Sequence, residues 1–151
     1  MATFVRERPA YLFRQGRPVV PQFEVDEALY RRYDPRHRQG HRLLPAALSP
    51  FPLSVNRGGR FSRPEDVLFP DKFDWGIASF KVKDVPEWLA PDSGEPDRYD
   101  FRLRHTPKED NYAHSEVCSF KNGCFDRNVN PQKTVRKQFR LILSEKIVLV
   151  R

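Results

Sequence analysis

The chain has 151 residues, 38% of them hydrophobic, with 14 prolines, 12 phenylalanines, two cysteines and a formal net charge of +7. This is the size of one domain with a modest core and much irregular chain, and the aromatic content argues against wholesale disorder. There is no run of about 18 apolar residues and no apolar leader in MATFVRERPAYLF, so neither a membrane span nor export is expected; the chain is read as cytoplasmic, with free cysteines.

The charge is unevenly spread. Residues 1–60 carry 11 Arg against 5 acids, residues 61–100 carry 5 basic and 10 acidic residues, and residues 101–151 carry 11 basic and 5 acidic. Basic segments attract phosphate backbones or acidic partners, so nucleic acid, with RNA favoured, or an acidic protein is the expected partner. A solvated mixed surface is the plain alternative.

Residues 1–22 read as an irregular Pro/Arg-rich arm, with Pro9, Pro18 and Pro21 interrupting any helix, and residues 23–151 as a single domain. Glu24–Tyr33 is expected as a short helix ended by Asp34-Pro35, offering Phe23, Leu29 and Tyr30 to the core. Residues 36–63 are rich in Pro, Gly and Arg around an apolar island at Leu43–Leu53. Gly76–Val85 reads as a strand, Pro86–Leu89 as a helical turn and Pro91–Pro96 as an acidic loop. Tyr99–His105 alternates as a half-buried strand, with Tyr99, Phe101, Leu103 and His105 inward. Glu116–Phe120 is a further strand, and Asn122-Gly123 after it signals a tight turn whose two central residues take positive φ. Asn130-Pro131 opens a helix as N-cap and first helical residue, the helix runs to about Ser144, and Lys146–Val150 forms a terminal strand. The expected fold is α+β: a small, mainly antiparallel sheet with an N-terminal helix, a basic C-terminal helix and the Pro-rich arm.

Four constellations carry possible chemistry. On the C-terminal helix, Lys133, Arg136, Lys137 and Arg140 share one face, while Val135, Phe139 and Ile142 lie on another that docks. The charged face suits phosphate, or it is an ordinary solvated face. In the second half, Arg102, Arg104 and His105 end one strand while His114 and Glu116 begin another. Were these strands paired, His105 and His114 could come within reach across a short connection, a set suited to RNA cleavage without a metal. His114, Glu116 or His105 would move protons, and the arginines would stabilise the charged phosphorane. The structural alternative gives the histidines backbone partners and pairs Glu116 with an arginine.

A zinc reading uses His105, His114, Cys118 and Cys124, but the spacing is no paired-knuckle pattern and strand parity separates the cysteines, so neither a metal nor another cofactor is expected. Last, Asn56-Arg57-Gly58-Gly59-Arg60-Phe61-Ser62 is either a turn or an anion cradle. Behind Leu53-Ser54-Val55 it allows a nicotinamide-dinucleotide or ADP-ribose pocket, with Arg31 or Arg32 and Glu116 as partners of Ser54.

Leu53-Ser54-Val55 followed by Ser62-Arg63-Pro64-Glu65-Asp66-Val67-Leu68, and His105, Pro107, Asn111, His114 and Glu116, resemble the pattern of a family of small bacterial proteins without assigned activity. The resemblance spans roughly residues 43–117 and implies that Ser54 and the His114/Glu116 stretch belong to a shared framework; the cysteines lie outside it. The preferred reading is a small bacterial protein that engages RNA, with His114 and Glu116 as the pair for toxin-like, metal-independent cleavage. Two others stand beside it: a non-enzymatic accessory subunit whose arm wraps a protein partner, and an NAD- or ADP-ribose-using transferase. Whether chemistry accompanies binding is open at this level.

Overall fold

The computed structural model describes residues 6–91 and 96–151. Residues 92–95 of the expected acidic loop lie outside the described residues. The strands are β1 (Ala28–Tyr33), β2 (Arg38–Gln39), β3 (Arg42–Leu43), β4 (Leu53–Arg57), β5 (Gly76–Lys81), β6 (Trp88–Leu89), β7 (Tyr99–His105), β8 (His114–Lys121) and β9 (Val148–Leu149), with one α-helix, α1 (Lys133–Lys146). Seven strands form one sheet in the order β6-β7-β8-β4-β1-β5-β9, all pairs antiparallel, and β2-β3 is a separate hairpin. The architecture is mixed helix and sheet, mostly antiparallel sheet with one C-terminal helix.

The N-terminal helix expected over Glu24–Tyr33 is not formed. A turn closes at Glu24–Glu27 (Glu27 N–H to Glu24 C=O, 3.1 Å), and Ala28–Tyr33 is the strand between β4 and β5. The reason is tertiary: Leu29 and Tyr33 bury on one side of the sheet, and pairing along both edges satisfies the backbone donors and acceptors of a central strand. Likewise the turn expected at Pro86–Leu89 gives way to β6, because Trp88 and Leu89 pair with Asp100 and Tyr99. β5 stops at Lys81, whose N–H donates to Asp84 Oδ2 (2.8 Å) across a 3-10 turn at Val82–Asp84.

β7 runs over Tyr99–His105 as its alternation suggests, and the turn after β8 has Asn122 at φ 52° and Gly123 at φ 76°. The helix begins at Lys133 with Gln132 as cap, so Asn130-Pro131 precedes it; Pro131 is buried and its carbonyl accepts from Arg136 Nη1 (2.7 Å).

α1 covers one face of the sheet. Val135, Phe139 and Leu143, each one turn on from the last, bury fully against Leu29, Leu53, Phe101 and Val117. Phe139 lies 4.6 Å from the Phe101 ring and 5.0 Å from Phe51, centroid to centroid. Leu143, and not Ile142, completes the stripe; Ile142 is exposed. Fully burying side chains of this size is worth about 1.5–3 kcal/mol each.

The N-terminal segment is irregular apart from a 3-10 turn at Ala10–Leu12, and it packs on its own chain. Leu12 is buried and its carbonyl accepts from Tyr112 N–H (2.6 Å), while the Tyr112 hydroxyl donates to Pro18 C=O (2.6 Å). Arg57, 1% exposed, fastens the segment that follows. Its guanidinium pairs with both carboxylate oxygens of Glu27 (2.7 and 2.8 Å), donates to Val20 and Gln22 carbonyls (2.7 Å each) and lies between the Phe23 and Phe61 rings (3.8 and 4.1 Å). Among the described residues no helix is long and apolar enough to cross a membrane.

Candidate functional site: a cationic cleft around His114

The strand register sorts the polar side chains of the sheet. Tyr30 lies opposite Asn56 and Asn56 opposite His114; one step along, Ser54 lies opposite Glu116 and Glu116 opposite Arg104. Because side chains alternate, these residues and Arg32 share the face away from α1. On that face lies a cleft of about 380 Å3 whose floor includes Tyr30, Ser54, Asn56 and His114. One wall is the segment from Asp66 to Trp75, another the loop from Lys108 to Asn111, and a third Arg8 of the N-terminal segment. Arg8 is held by Asp110 (3.4 Å), and Asp66 accepts from the Tyr11 hydroxyl at both oxygens (2.9 and 2.7 Å) and from Arg63 N–H (2.7 Å). Burial and the neighbouring carboxylate push the Tyr11 hydroxyl up to about 12, so it stays a proton donor.

His114 is built to present one nitrogen. Its Nδ1 lies 2.9 Å from the Thr106 carbonyl and 3.0 Å from the Thr106 hydroxyl. A carbonyl only accepts, so Nδ1 carries the proton and Nε2 carries the lone pair. Burial holds the imidazole below its ordinary pKa of 6.5, with Lys108 acting in the same direction and the Thr106 bond opposing. At neutral pH it is therefore an uncharged ring with a basic nitrogen.

His105 is the opposite case. It pairs with Ser115, one residue along from His114, so the two imidazoles project from opposite faces of the sheet. His105 Nδ1 accepts from Val20 N–H (2.9 Å) and Nε2 donates to Tyr112 C=O (2.6 Å). Both nitrogens are used, the ring packs against Phe61 and Tyr112, and burial again lowers its pKa. A mechanism in which His105 and His114 exchange roles across one phosphate has no geometric basis here.

Beside His114 the floor holds an unsatisfied amide pair. Asn111 Nδ2 donates to Asn56 Oδ1 (2.8 Å), which leaves Asn56 Nδ2 and Asn111 Oδ1 buried without partners among the described residues. Asn56 is only 4% exposed. An unmet buried polar group costs about 1–3 kcal/mol, so this donor and acceptor beneath the cleft are a local expense of the fold.

The cleft also gathers cations. Arg32 is pushed below its ordinary pKa by burial, with Asp71 opposing and Arg8 adding to the shift; among the described residues its one hydrogen bond goes to the Phe69 carbonyl (3.3 Å). Arg31, next to it, donates to the carbonyls of Ala47, Ser49 and Ser54 (3.2, 2.8 and 2.8 Å), and burial brings it down to about 10. Neither arginine forms an ion pair among the described residues.

The remaining expected site residues lie elsewhere. Glu116 shares the face with His114 but is not a lining residue, and it forms no ion pair among the described residues. Arg102 stacks on Phe125 (5.2 Å); Arg104 stacks on Phe120 (4.6 Å) and donates to Phe125 C=O (2.7 Å). Lys133, Arg136, Lys137 and Arg140 ride on α1, which packs the opposite face of the sheet. Arg136 and Arg140 are tied to the Pro131 and Leu48 carbonyls (2.7 and 3.2 Å). The four ligands of the zinc reading do not converge: His105 is on the other face, Cys118 is buried and Cys124 exposed. The Gly-Gly loop turns Arg57 inward as a clasp instead of toward a ligand, and a Cβ at Gly58 would press on Tyr30 and Ala28.

Nothing in the sequence marked Tyr30, Arg8, Lys108 and Trp75 as cleft residues, and Asn56 stood out only as the first residue of the Gly-Gly loop. Asn56 was findable, since Ser54 and Asn56 share parity on an alternating strand. Comparison with protein-family models, curated proteins and solved structures finds no match for this chain.

Proposed function

We propose that this protein binds a phosphate-bearing nucleotide, RNA in the first instance, in the His114 cleft, and that His114 acts there as general base. The observation that carries the reading is the imidazole fixed by the Thr106 carbonyl, neutral at pH 7, beside the unpaired Asn56 amide and within a ring of Arg8, Arg32 and Lys108. On RNA, Nε2 takes the 2′-hydroxyl proton, the 2′-oxygen bonds to phosphorus, the bond to the 5′-oxygen breaks, and that oxygen takes a proton from water. Cations at the phosphate offset the charge that builds on the phosphorane. A positioned base contributes typically about 10²–10⁴-fold. The reading predicts cleavage of total RNA without added metal, a loss of about 100-fold or more in His114→Ala, and weaker binding in Arg32→Gln. Intact RNA together with no RNA binding refutes it. Charge reversal at Lys133 and Lys137 on α1 separates the helix from the cleft: it leaves cleavage unchanged if the cleft acts alone.

One observation favours a second reading, a pyrophosphate-bridged dinucleotide as substrate. Ser54 lies directly opposite Glu116 and Arg32 is on the same face, so a hydroxyl, a carboxylate and a guanidinium share it. Release of nicotinamide from NAD, lost in Glu116→Gln, would favour it over RNA cleavage.

A further inference from the structure

A second cavity, of about 210 Å3, lies beside the first at the end of β1. The two share Arg31, Arg32 and Trp75. Independent small-molecule sites run from about 300 to 1,000 Å3, so the smaller space is better understood as an annex of the larger than as a site in its own right. Its other walls include His37, Ala46, Ala47 and Ser49. Among its described lining residues the carboxylate is Asp34, which is already taken by Arg36 (2.6 and 3.0 Å).

We propose that the His114 cleft and this annex are two nucleoside subsites of one groove, whose ligand is a pair of nucleosides joined through phosphate at Arg32. This rests on the nucleotide reading above and extends it. Arg32 stands where the cavities meet and spends one hydrogen bond on protein, so most of its donors remain for a bridging phosphate. Arg31 spends three of its five N–H donors on carbonyls, so it contributes chiefly charge. Arg31, the more deeply buried of the two, is disfavoured as a cation by burial and by Arg32, and Asp71 offsets the charge of half-buried Arg32 only from a distance, so an anion at the junction relieves both. Each side has rings among its lining residues for a base to pack against: Tyr30 and Phe69 in the cleft and His37 in the annex, with Trp75 common to both. A strand step and a soluble dinucleotide share this nucleoside–phosphate–nucleoside chemistry.

Calorimetric titration of the intact protein tests the proposal. The probes are d(TpT) and d(ApA), which lack the 2′-hydroxyl and are not cleaved, the matching dTMP and dAMP, and NAD. At least one bridged ligand should bind 10-fold or more tighter than its mononucleotide. Ala46→Trp, at an exposed residue of the annex wall, should remove that advantage while leaving mononucleotide affinity and the unfolding midpoint as in wild type. Tight binding by NAD but not by d(TpT) or d(ApA) supports the groove and assigns the bridge as a pyrophosphate. Equal affinities for bridged and single nucleotides, or a loss in Ala46→Trp common to both, overturns the two-subsite groove and leaves the nucleotide cleft standing. No binding by any probe overturns the two-subsite groove, and the cleft itself then stands or falls by the RNA cleavage and binding assays above.

Discussion

Removing Glu27 should cost more than any surface substitution, because it strands a cation inside the protein. Arg57 is 1% exposed and meets Glu27 through two bonds of 2.7 and 2.8 Å. Glu27→Ala leaves the guanidinium with the Val20 and Gln22 carbonyls and two ring faces, none of which cancels its charge. Breaking a buried pair from one side costs about 3–5 kcal/mol, a large part of the roughly 5–15 kcal/mol that holds a domain together. With a urea dependence of about 1–3 kcal/mol/M, the unfolding midpoint should fall by about 1–5 M. Arg57→Met alone should also be costly, since it leaves two carbonyls unmet. The double variant should be less unstable than the sum of the two, by a coupling of about 1–3 kcal/mol. Urea titrations of the four proteins complete the cycle. A Glu27→Ala loss under about 1 kcal/mol, or strict additivity, would mean that water screens the pair and that Arg57 does not fasten residues 20–27 to β4.

Two further outcomes follow from burial. Both His105 and His114 are held below 6.5, so below that pH the unfolded chain binds more protons than the native one and stability must fall on acidification. The urea midpoint should be lower at pH 5 than at pH 7, and the dependence should flatten in a His105→Gln/His114→Gln variant; Asp34, held at about 2 by Arg36, titrates outside this window. A wild-type midpoint that does not change between these pH values contradicts the assignment. Of the two thiols, exposed Cys124 should react with a disulfide reagent at once, whereas Cys118 is 3% exposed, and burial together with Glu116 pushes its thiol up. One fast equivalent, lost in Cys124→Ser, is expected; two fast equivalents would show that β8 opens readily.

What the sequence made legible was local. Tyr99–His105 alternates with period two over its whole length, Asn122-Gly123 asks for two positive φ angles, and the C-terminal helix has its apolar residues one turn apart; each is decided within a few residues. β1 was not legible, because Arg31 and Arg32 interrupt its alternation and its partners, β4 and β5, lie farther along the chain. The resemblance pattern singled out Ser54, Asn111 and His114, all of which line the cleft. It also included His105, since a one-residue offset in strand register cannot be read without the pairing, and that offset sends the two rings to opposite faces. The cleft walls come from Arg8, from Asp66 to Trp75 and from Lys108 to Asn111, segments that only the sheet brings together.

An open sheet ends in two borders that can recruit a neighbouring chain, and the way this one ends bears on how the protein behaves when concentrated. Both borders, β6 and β9, are two-residue strands, too short to template a long pairing. β6 covers only Tyr99 and Asp100 of β7, and beyond that cover the strand carries exposed Arg102 and Arg104. Charges placed there discourage a second sheet from docking edge to edge. These two arginines, first read as phosphate ligands, thus have a sufficient reason to exist as guards against stacking, and their replacement by Thr should show first as aggregation.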